Sequence, residues 1–173
     1  MINISKQKIR YYTIRKIKTP LGIMTAGAVK EGVCLLEFAE EFEKEKTDGC
    51  LIGEKINDEK ISAHFEALGS QLSEYFNGKR KKFSLPLVLN GTEFQMRAWH
   101  TLLRVPYGET ISYEKQAALM KNPKAVRAAA NANAANKIGI IIPCHRVIAK
   151  NGGLAGYAAG IEKKEYLLNL EKI

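Results

Sequence analysis

Apolar positions follow two different periods along this chain. From Ile61 they recur at Phe65, Leu68, Leu72 and Phe76, spacings of four, three, four and four that lay one stripe along a helix, and Asn77 with Gly78 supplies its stop. Upstream the pattern is that of strands. Tyr12, Ile14 and Ile17 lead to the turn pair Pro20 and Gly22, and a second apolar run from Val33 to Phe38 follows Gly32, so Tyr11 to Phe38 reads as a small sheet. Phe83, Leu85, Leu87 and Leu89 alternate as in a half-buried strand before Asn90 and Gly91 punctuate the chain. Residues 40 to 60 are dominated by Glu, Lys and Asp with almost no periodic apolar residue, the composition of a solvated, mobile connection.

Past Gly91 the pattern turns helical. Thr92 followed by Gln95 forms a capping box ahead of Phe94, Ala98, Trp99 and Leu102, and that helix should stop before Pro106. Tyr107-Gly108-Glu109-Thr110 reads as a turn, Ser112 as the cap of a short helix through Met120, and Pro123 as the start of another helix running to about Asn133. Two short helices across a tight turn predict a helix-turn-helix. The second is rich in Ala and carries Lys124 and Arg127, which fits either a packing helix or one lying close against a DNA backbone. Ile138 to Ile142 is a nearly continuous apolar run and predicts a buried strand.

A length of 173 residues, 46% of them hydrophobic, can build one large core or two small ones. With the boundary at Asn90 and Gly91, the expectation is an α/β (α+β) chain. A small sheet-plus-helix domain over 1–90 precedes a mostly helical domain over 91–173. The first thirty residues intersperse Lys and Arg among the apolar positions, unlike a secretory signal, and no run reaches membrane-spanning length, so the protein is expected inside the cell, in the cytoplasm. Cys34, Cys50 and Cys144 cannot all pair, and no CxxC or Cys/His cluster has zinc spacing; His64 and His100 stand alone. No metal and no cofactor is expected. The net charge is +9. Residues 91 to 173 hold twelve Lys/Arg against six Asp/Glu, so this half carries +6, which points to a polyanionic partner.

The chemistry concentrates at Pro143-Cys144-His145-Arg146-Val147. An ordinary thiol ionises near pH 8.5, so a reactive one needs neighbours that favour the thiolate, and His145 is the nearest base. Side chains adjacent in an extended segment point to opposite sides, which makes a bridging water between the two plausible. For a Cys-His pair taken alone, a buried cysteine beside a partly exposed histidine is the commoner arrangement.

The longer string Ile141-Ile142-Pro143-Cys144-His145-Arg146-Val147-Ile148 resembles the active-site signature of the O6-alkylguanine-DNA alkyltransferases, the methylated-DNA–protein-cysteine methyltransferases. Phe94-Gln95, Trp99, Pro106-Tyr107-Gly108-Glu109-Thr110, Ser112-Tyr113, Ala125-Val126-Arg127-Ala128, Asn136, Gly156-Tyr157, Lys164 and Leu167-Leu168 follow that family's order and spacing, so the resemblance spans residues 92 to 171. Thr19-Pro20-Leu21-Gly22 and Gly32-Val33 are similar to its first domain, which implies a ribonuclease H-like fold for 1–90.

The resemblance implies that Cys144 takes a methyl or other alkyl group from O6 of guanine, with O4 of thymine a second candidate donor, in one irreversible turnover. It implies that His145 accepts the thiol proton through a water, that Glu171 orients His145, that Tyr113 donates to the leaving base and contacts DNA, and that Asn136 braces the active-site segment. Pro143, Val147, Tyr157, Ala158 and Ala159 would line the guanine pocket. Arg127 would fill the space of an extruded nucleotide, with Ala128 and Ala132 permitting close approach to the minor groove of double-stranded DNA. The protein would act as a monomer.

Several positions depart from the family pattern. Ala134-Ala135-Asn136-Lys137 stands where Gly-Arg precedes the asparagine and Pro follows it, with Lys137 as a replacement cation, and Ala130 replaces a usual glycine. Ala155 and Ala159 stand where a small hydroxylated residue or glycine, and glycine, are usual, so a narrower pocket is expected.

Three other functions fit parts of the pattern. A non-enzymatic damage binder shares the helix-turn-helix but lacks the cysteine; a sequence-specific transcription factor needs more base-reading side chains than the Ala-rich helix offers; a cysteine hydrolase needs an oxyanion hole that the sequence does not display.

Overall fold

A computed structural model describes residues 4–6, 9, 11–40, 51–52 and 58–172. The chain divides into two compact units, Met1–Asn90 and Gly91–Ile173.

The first unit is built on strands β1 (Ile4–Lys6), β2 (Tyr11–Thr19), β3 (Gly22–Val29), β4 (Gly32–Phe38), β5 (Leu51–Ile52) and β6 (Leu87–Leu89) with helix α1 (Glu59–Phe76). They form one sheet in the order β1-β6-β4-β3-β2-β5, whose centre is the antiparallel meander β2-β3-β4. Thr19 fixes the first hairpin by donating its hydroxyl to the Gly22 carbonyl and accepting from the Leu21 N–H. Gly32 is required for a different reason: a Cβ there would lie 2.4 Å from the carbonyl oxygen of Pro86, which accepts the Val33 N–H.

Helix α1 begins at Asp58, whose carboxylate accepts from the backbone of Lys60 and Ile61, and it packs on β2, β3 and β4. Ile61, Phe65, Leu68 and Leu72 are buried as the stripe predicts, but the stripe ends on Tyr75 and leaves Phe76 half-buried. Three residues beyond Leu72 stay on the buried face as readily as four. The Tyr75 ring meets Phe83 at 5.4 Å between centroids.

The expected strand from Phe83 to Leu89 is shorter than its pattern. Phe83 and Leu85 are buried, yet only Leu87–Leu89 pairs, because Pro86 has no N–H to give a ladder. Most of the expected connection over 40 to 60 lies outside the described residues; within it, Leu51–Ile52 pairs in parallel with Tyr11 and Tyr12.

The second unit contains α2 (Glu93–Leu102), β7 (Ile111–Ser112), α3 (Tyr113–Leu119), α4 (Val126–Ala134), a 3-10 turn (Cys144–Arg146), β8 (Val147–Ile148) and α5 (Ile161–Glu171). The capping box forms as expected, with Thr92 accepting from the Gln95 N–H and the Gln95 side chain accepting from the Thr92 N–H. Ser112 caps α3. Helix α4 starts at Val126 and not at Pro123, since residues 122 to 125 form a separate turn closed by the Ala125 N–H on Asn122.

Helices α3 and α4 are clamped by reciprocal amide bonds of 2.9 and 2.8 Å between Gln116 and Asn133, both buried. The Trp99 indole N–H donates to the Ala132 carbonyl at 2.8 Å, fixing α4 against α2, and Ala98, Met120, Ala129 and Ala132 close the core between them. Among the described residues, no helix is long and apolar enough to cross a membrane.

Candidate active site around Cys144

The segment that delivers Cys144 is buried, but it is not the strand its apolar run predicts. Ile138 to Ile142 folds as consecutive turns, with the Ile141 N–H on Gly139 and the Ile142 N–H on Ile138. Ile140 sits at φ 68, a conformation that a β-branched residue adopts only when its surroundings impose it. Asn136 supplies much of that constraint. Its Oδ1 accepts the Ile138 N–H at 3.0 Å, and its Nδ2 reaches the Ile142 carbonyl at 2.9 Å and the Cys144 sulfur at 3.3 Å. A side chain thus takes over hydrogen bonds that a strand would have given to a neighbour, and periodicity cannot foresee such a substitution.

Beyond Pro143 the chain enters the 3-10 turn, so Cys144 and His145 are not related as neighbours in a strand. Cys144 is partly exposed, forms no disulfide, and is followed by fully buried His145. β8 then pairs in parallel with β7, Ile111 with Val147 and Ser112 with Ile148, which anchors the cysteine segment beside the start of α3. Tyr113, the first residue of α3, is half-buried; burial raises its pKa and the nearby Cys144 charge adds to the effect, so the phenol remains a donor at neutral pH.

Behind Cys144 lies a buried cluster of charge. His145 Nε2 is 2.8 Å from Glu171 Oε1, and Arg146 grips the same carboxylate with Nε at 2.8 Å and a terminal nitrogen at 3.0 Å. The other terminal nitrogen of Arg146 donates to the Val105 carbonyl at 2.7 Å. Burial works to raise the Glu171 pKa, but the hydrogen bonds from His145 and Arg146 and their charges outweigh it and hold the carboxyl at about 2. An ionised carboxylate can only accept, so the proton of a neutral His145 resides on Nε2. Its Nδ1 is buried and meets no partner within the described residues. Burial lowers the His145 pKa and outweighs the opposing pull of Glu171.

Gly108 completes the carboxylate's surroundings by donating its N–H at 3.3 Å. At φ 79, with a Cβ position 2.9 Å from the Glu171 carbonyl oxygen, no larger residue fits. Lys164, wholly buried, donates to the carbonyls of Val147 at 2.7 Å and Ala155 at 3.0 Å, and Lys163 donates to that of Ala159 at 3.2 Å. These two lysines fasten the 149–160 loop to the first turn of α5. Burial lowers the Lys164 pKa, and the nearby Cys144 opposes that shift.

Of the residues singled out from sequence, Cys144, His145, Glu171, Asn136 and Tyr113 gather at one place. Pro143 and Val147 are buried beside them, while Tyr157 and Ala159 are half-buried and Ala158 exposed in the loop. On α4, Arg127 and Ala128 are exposed, but Ala132 is not on their face: it is 3% exposed and packed against Ala98 and Ala129. The outward face is instead Arg127, Ala128, Asn131 and Ala134. Arg146 and Lys164 belong to the motif strings, but the resemblance assigns neither a role. The burial stripe of α5, Lys164, Leu167, Leu168 and Glu171, has helical spacing, and that spacing marks Lys164 and Glu171 as interior, whereas no comparable signal marks Arg146. Among the described residues, no group of three His, Cys, Asp or Glu could hold a metal.

Comparison with known proteins agrees on both units. Residues 93–173 match the family described as 6-O-methylguanine DNA methyltransferase, DNA binding domain, and residues 9–89 match its ribonuclease-like domain. The constitutive methylated-DNA–protein-cysteine methyltransferase of Bacillus subtilis is 41% identical over 168 residues, covering 95% of this chain and 97% of that protein. The enzyme of the same name from Methanosarcina mazei is 41% identical over 162 residues, 94% of this chain and 97% of its own length. The crystal structure of Mycobacterium tuberculosis OGT in complex with DNA superposes with a TM-score of 0.79 at 38% identity, covering 94% of this chain and 92% of that one. The chain therefore belongs to the 6-O-methylguanine DNA methyltransferase family.

Proposed function

We propose that this protein repairs alkylated DNA by moving the alkyl group from O6 of guanine onto Cys144, once per molecule. The observation that carries the reading is the pairing of a partly exposed thiol, held by Asn136, with a neutral buried imidazole whose Nδ1 meets no partner among the described residues. A water between Nδ1 and the thiol would carry the proton to His145, and Glu171 would hold the ring in the required orientation.

The thiolate attacks the alkyl carbon, the S–C bond forms as the C–O6 bond breaks, and the bonding pair leaves with guanine. Tyr113, held protonated by burial, donates to the base as its negative charge develops, and the proton parked on His145 is returned to the leaving guanine. The product thioether has no activated carbonyl for water to attack, so the sulfur is not regenerated. Pro143, Val147, Tyr157, Ala158 and Ala159 are assigned to the base pocket.

A base stacked in a duplex cannot reach Cys144, so the nucleotide must be rotated out at a cost of a few kcal/mol. Arg127 is assigned to the vacated space and α4 to the minor groove of double-stranded DNA. Ala128, Asn131 and Ala134 provide an outward surface low enough for the backbone to approach. Lys137 is assigned as the replacement for the cation that the family commonly carries before the asparagine. The protein would act as a monomer inside the cell, and repair O4-alkylthymine as a secondary lesion if its pocket admits that base.

Titrating the protein against excess duplex carrying O6-methylguanine tests this reading. Restored guanine should plateau at one per protein molecule and be absent with Cys144→Ala. Several turnovers per molecule would refute the suicide step, and tight lesion binding without repair would make the protein a damage sensor.

A further inference from the structure

Among the described residues, the buried cluster holds more positive charge than its one carboxylate can balance. Glu171 is 3% exposed and His145 and Lys164 are 0% exposed, so any excess charge among them is poorly solvated. Arg146 is permanently cationic and engages both oxygens of Glu171, at 2.8 and 3.0 Å, as well as the Val105 carbonyl at 2.7 Å. The Arg146–Glu171 pair is therefore already neutral before His145 is considered.

The geometry assigns Arg146 the part of standing counter-ion to Glu171: it is a positioning residue that leaves His145 an uncharged, Nε2-protonated imidazole, ready to receive the Cys144 proton. Its consequence for catalysis rests on the alkyl-transfer reading above, but the proton state of His145 does not. The geometry supports it, because the guanidinium of Arg146 already takes both oxygens of Glu171 and leaves the carboxylate no unbalanced charge to hold an imidazolium. The charges nearby also favour the neutral ring: burial, Arg146 and Lys164 all lower its proton affinity, and Glu171 alone raises it.

The remaining titratable groups do not alter this balance. Helix α2, which packs on the 3-10 turn, carries Glu93, Arg97 and His100, all exposed. Tyr107 stacks beside Arg146, 5.8 Å from its guanidinium carbon, and its phenol is kept protonated by burial and by Glu171. Cys144 itself is the proton donor. Without Arg146, the buried carboxylate would be left to His145, which would answer by becoming imidazolium and could no longer act as a base.

The test uses the full-length protein. In wild type, nitrogen-15 NMR of the imidazoles should show His145 neutral with its proton on Nε2 at pH 7, and still mainly neutral at about pH 6.5, where an ordinary imidazole is half protonated. Arg146→Met should move the acidic limb of the alkyl-transfer rate upward by about one pH unit, a loss that approaches tenfold below that limb and is small at pH 9, and Arg146→Lys should restore much of it. A doubly protonated His145 in wild type at pH 7, or an equal loss at every pH in the Met variant, would overturn the assignment. The wild-type spectrum decides even if the variant does not fold. It also needs no DNA, so failure of alkyl transfer and failure of this inference are read separately.

Discussion

Replacing Glu171 by glutamine removes the charge on which His145, Arg146 and the Gly108 N–H converge. The carboxyl is held at about 2 against an ordinary 4.5, and at about 1.4 kcal/mol per pH unit that difference corresponds to about 3 kcal/mol of folding free energy. Removing one partner of a buried ion pair costs a similar ~3–5 kcal/mol, because here the Arg146 guanidinium would keep its burial and lose its counter-charge.

A depressed carboxylate stabilises above its unfolded pKa, so the wild-type advantage should be complete above about pH 4.5 and fade as the pH falls toward about 2. His145, whose pKa is lowered mainly by burial, also makes the fold weaken as the pH drops below about 6.5. That effect acts in both proteins and is the larger in the variant, which lacks the carboxylate that opposes the shift, so the comparison with the carboxylate effect is made at pH 7 and again at pH 2.5. Urea unfolding followed by the fluorescence of Trp99, the chain's single tryptophan and a buried residue of the second unit, reads the relevant part of the molecule. A gap below about 1 kcal/mol at pH 7, or one that is unchanged at pH 2.5, would refute the account of this cluster.

Gln116→Leu should cost about 1–3 kcal/mol in the same unfolding assay, because it strands the buried Asn133 amide; adding Asn133→Leu should recover part of the loss rather than deepen it. Arg127→Ala should weaken binding to a lesion-bearing duplex roughly tenfold or more, read by gel shift, while leaving alkylation of Cys144 by free O6-methylguanine base unchanged. Wild type should transfer benzyl groups more slowly than methyl groups, and Ala159→Gly should narrow that difference; equal wild-type rates would end the argument from pocket width.

What was legible in the sequence was mostly local. The Thr92 and Gln95 capping box, the Ser112 cap and the Ile61 to Leu72 stripe depend on residues within one or two turns of each other, and each is found as read. The misread run Ile138 to Ile142 is apolar because it is buried, and burial alone does not distinguish a strand from turns braced by an asparagine side chain. Ala132 was misplaced by the same kind of ambiguity: a small residue suits a close approach to DNA and a close approach to α2 equally, and only the indole bond to its carbonyl shows which one occurs. Cys144, His145 and Glu171 were located by motif. The cluster's charge balance was not, since it depends on Val105, Arg146, Lys164 and Glu171 meeting across the second unit.

The most direct test of the central claim is intact-protein mass spectrometry with peptide mapping after exposure to a duplex containing a single O6-methylguanine. A gain of one methylene, about 14 Da, located on Cys144 and absent from Cys144→Ala, is the result the account predicts. An unchanged mass, or a methyl group on any other residue, would contradict it.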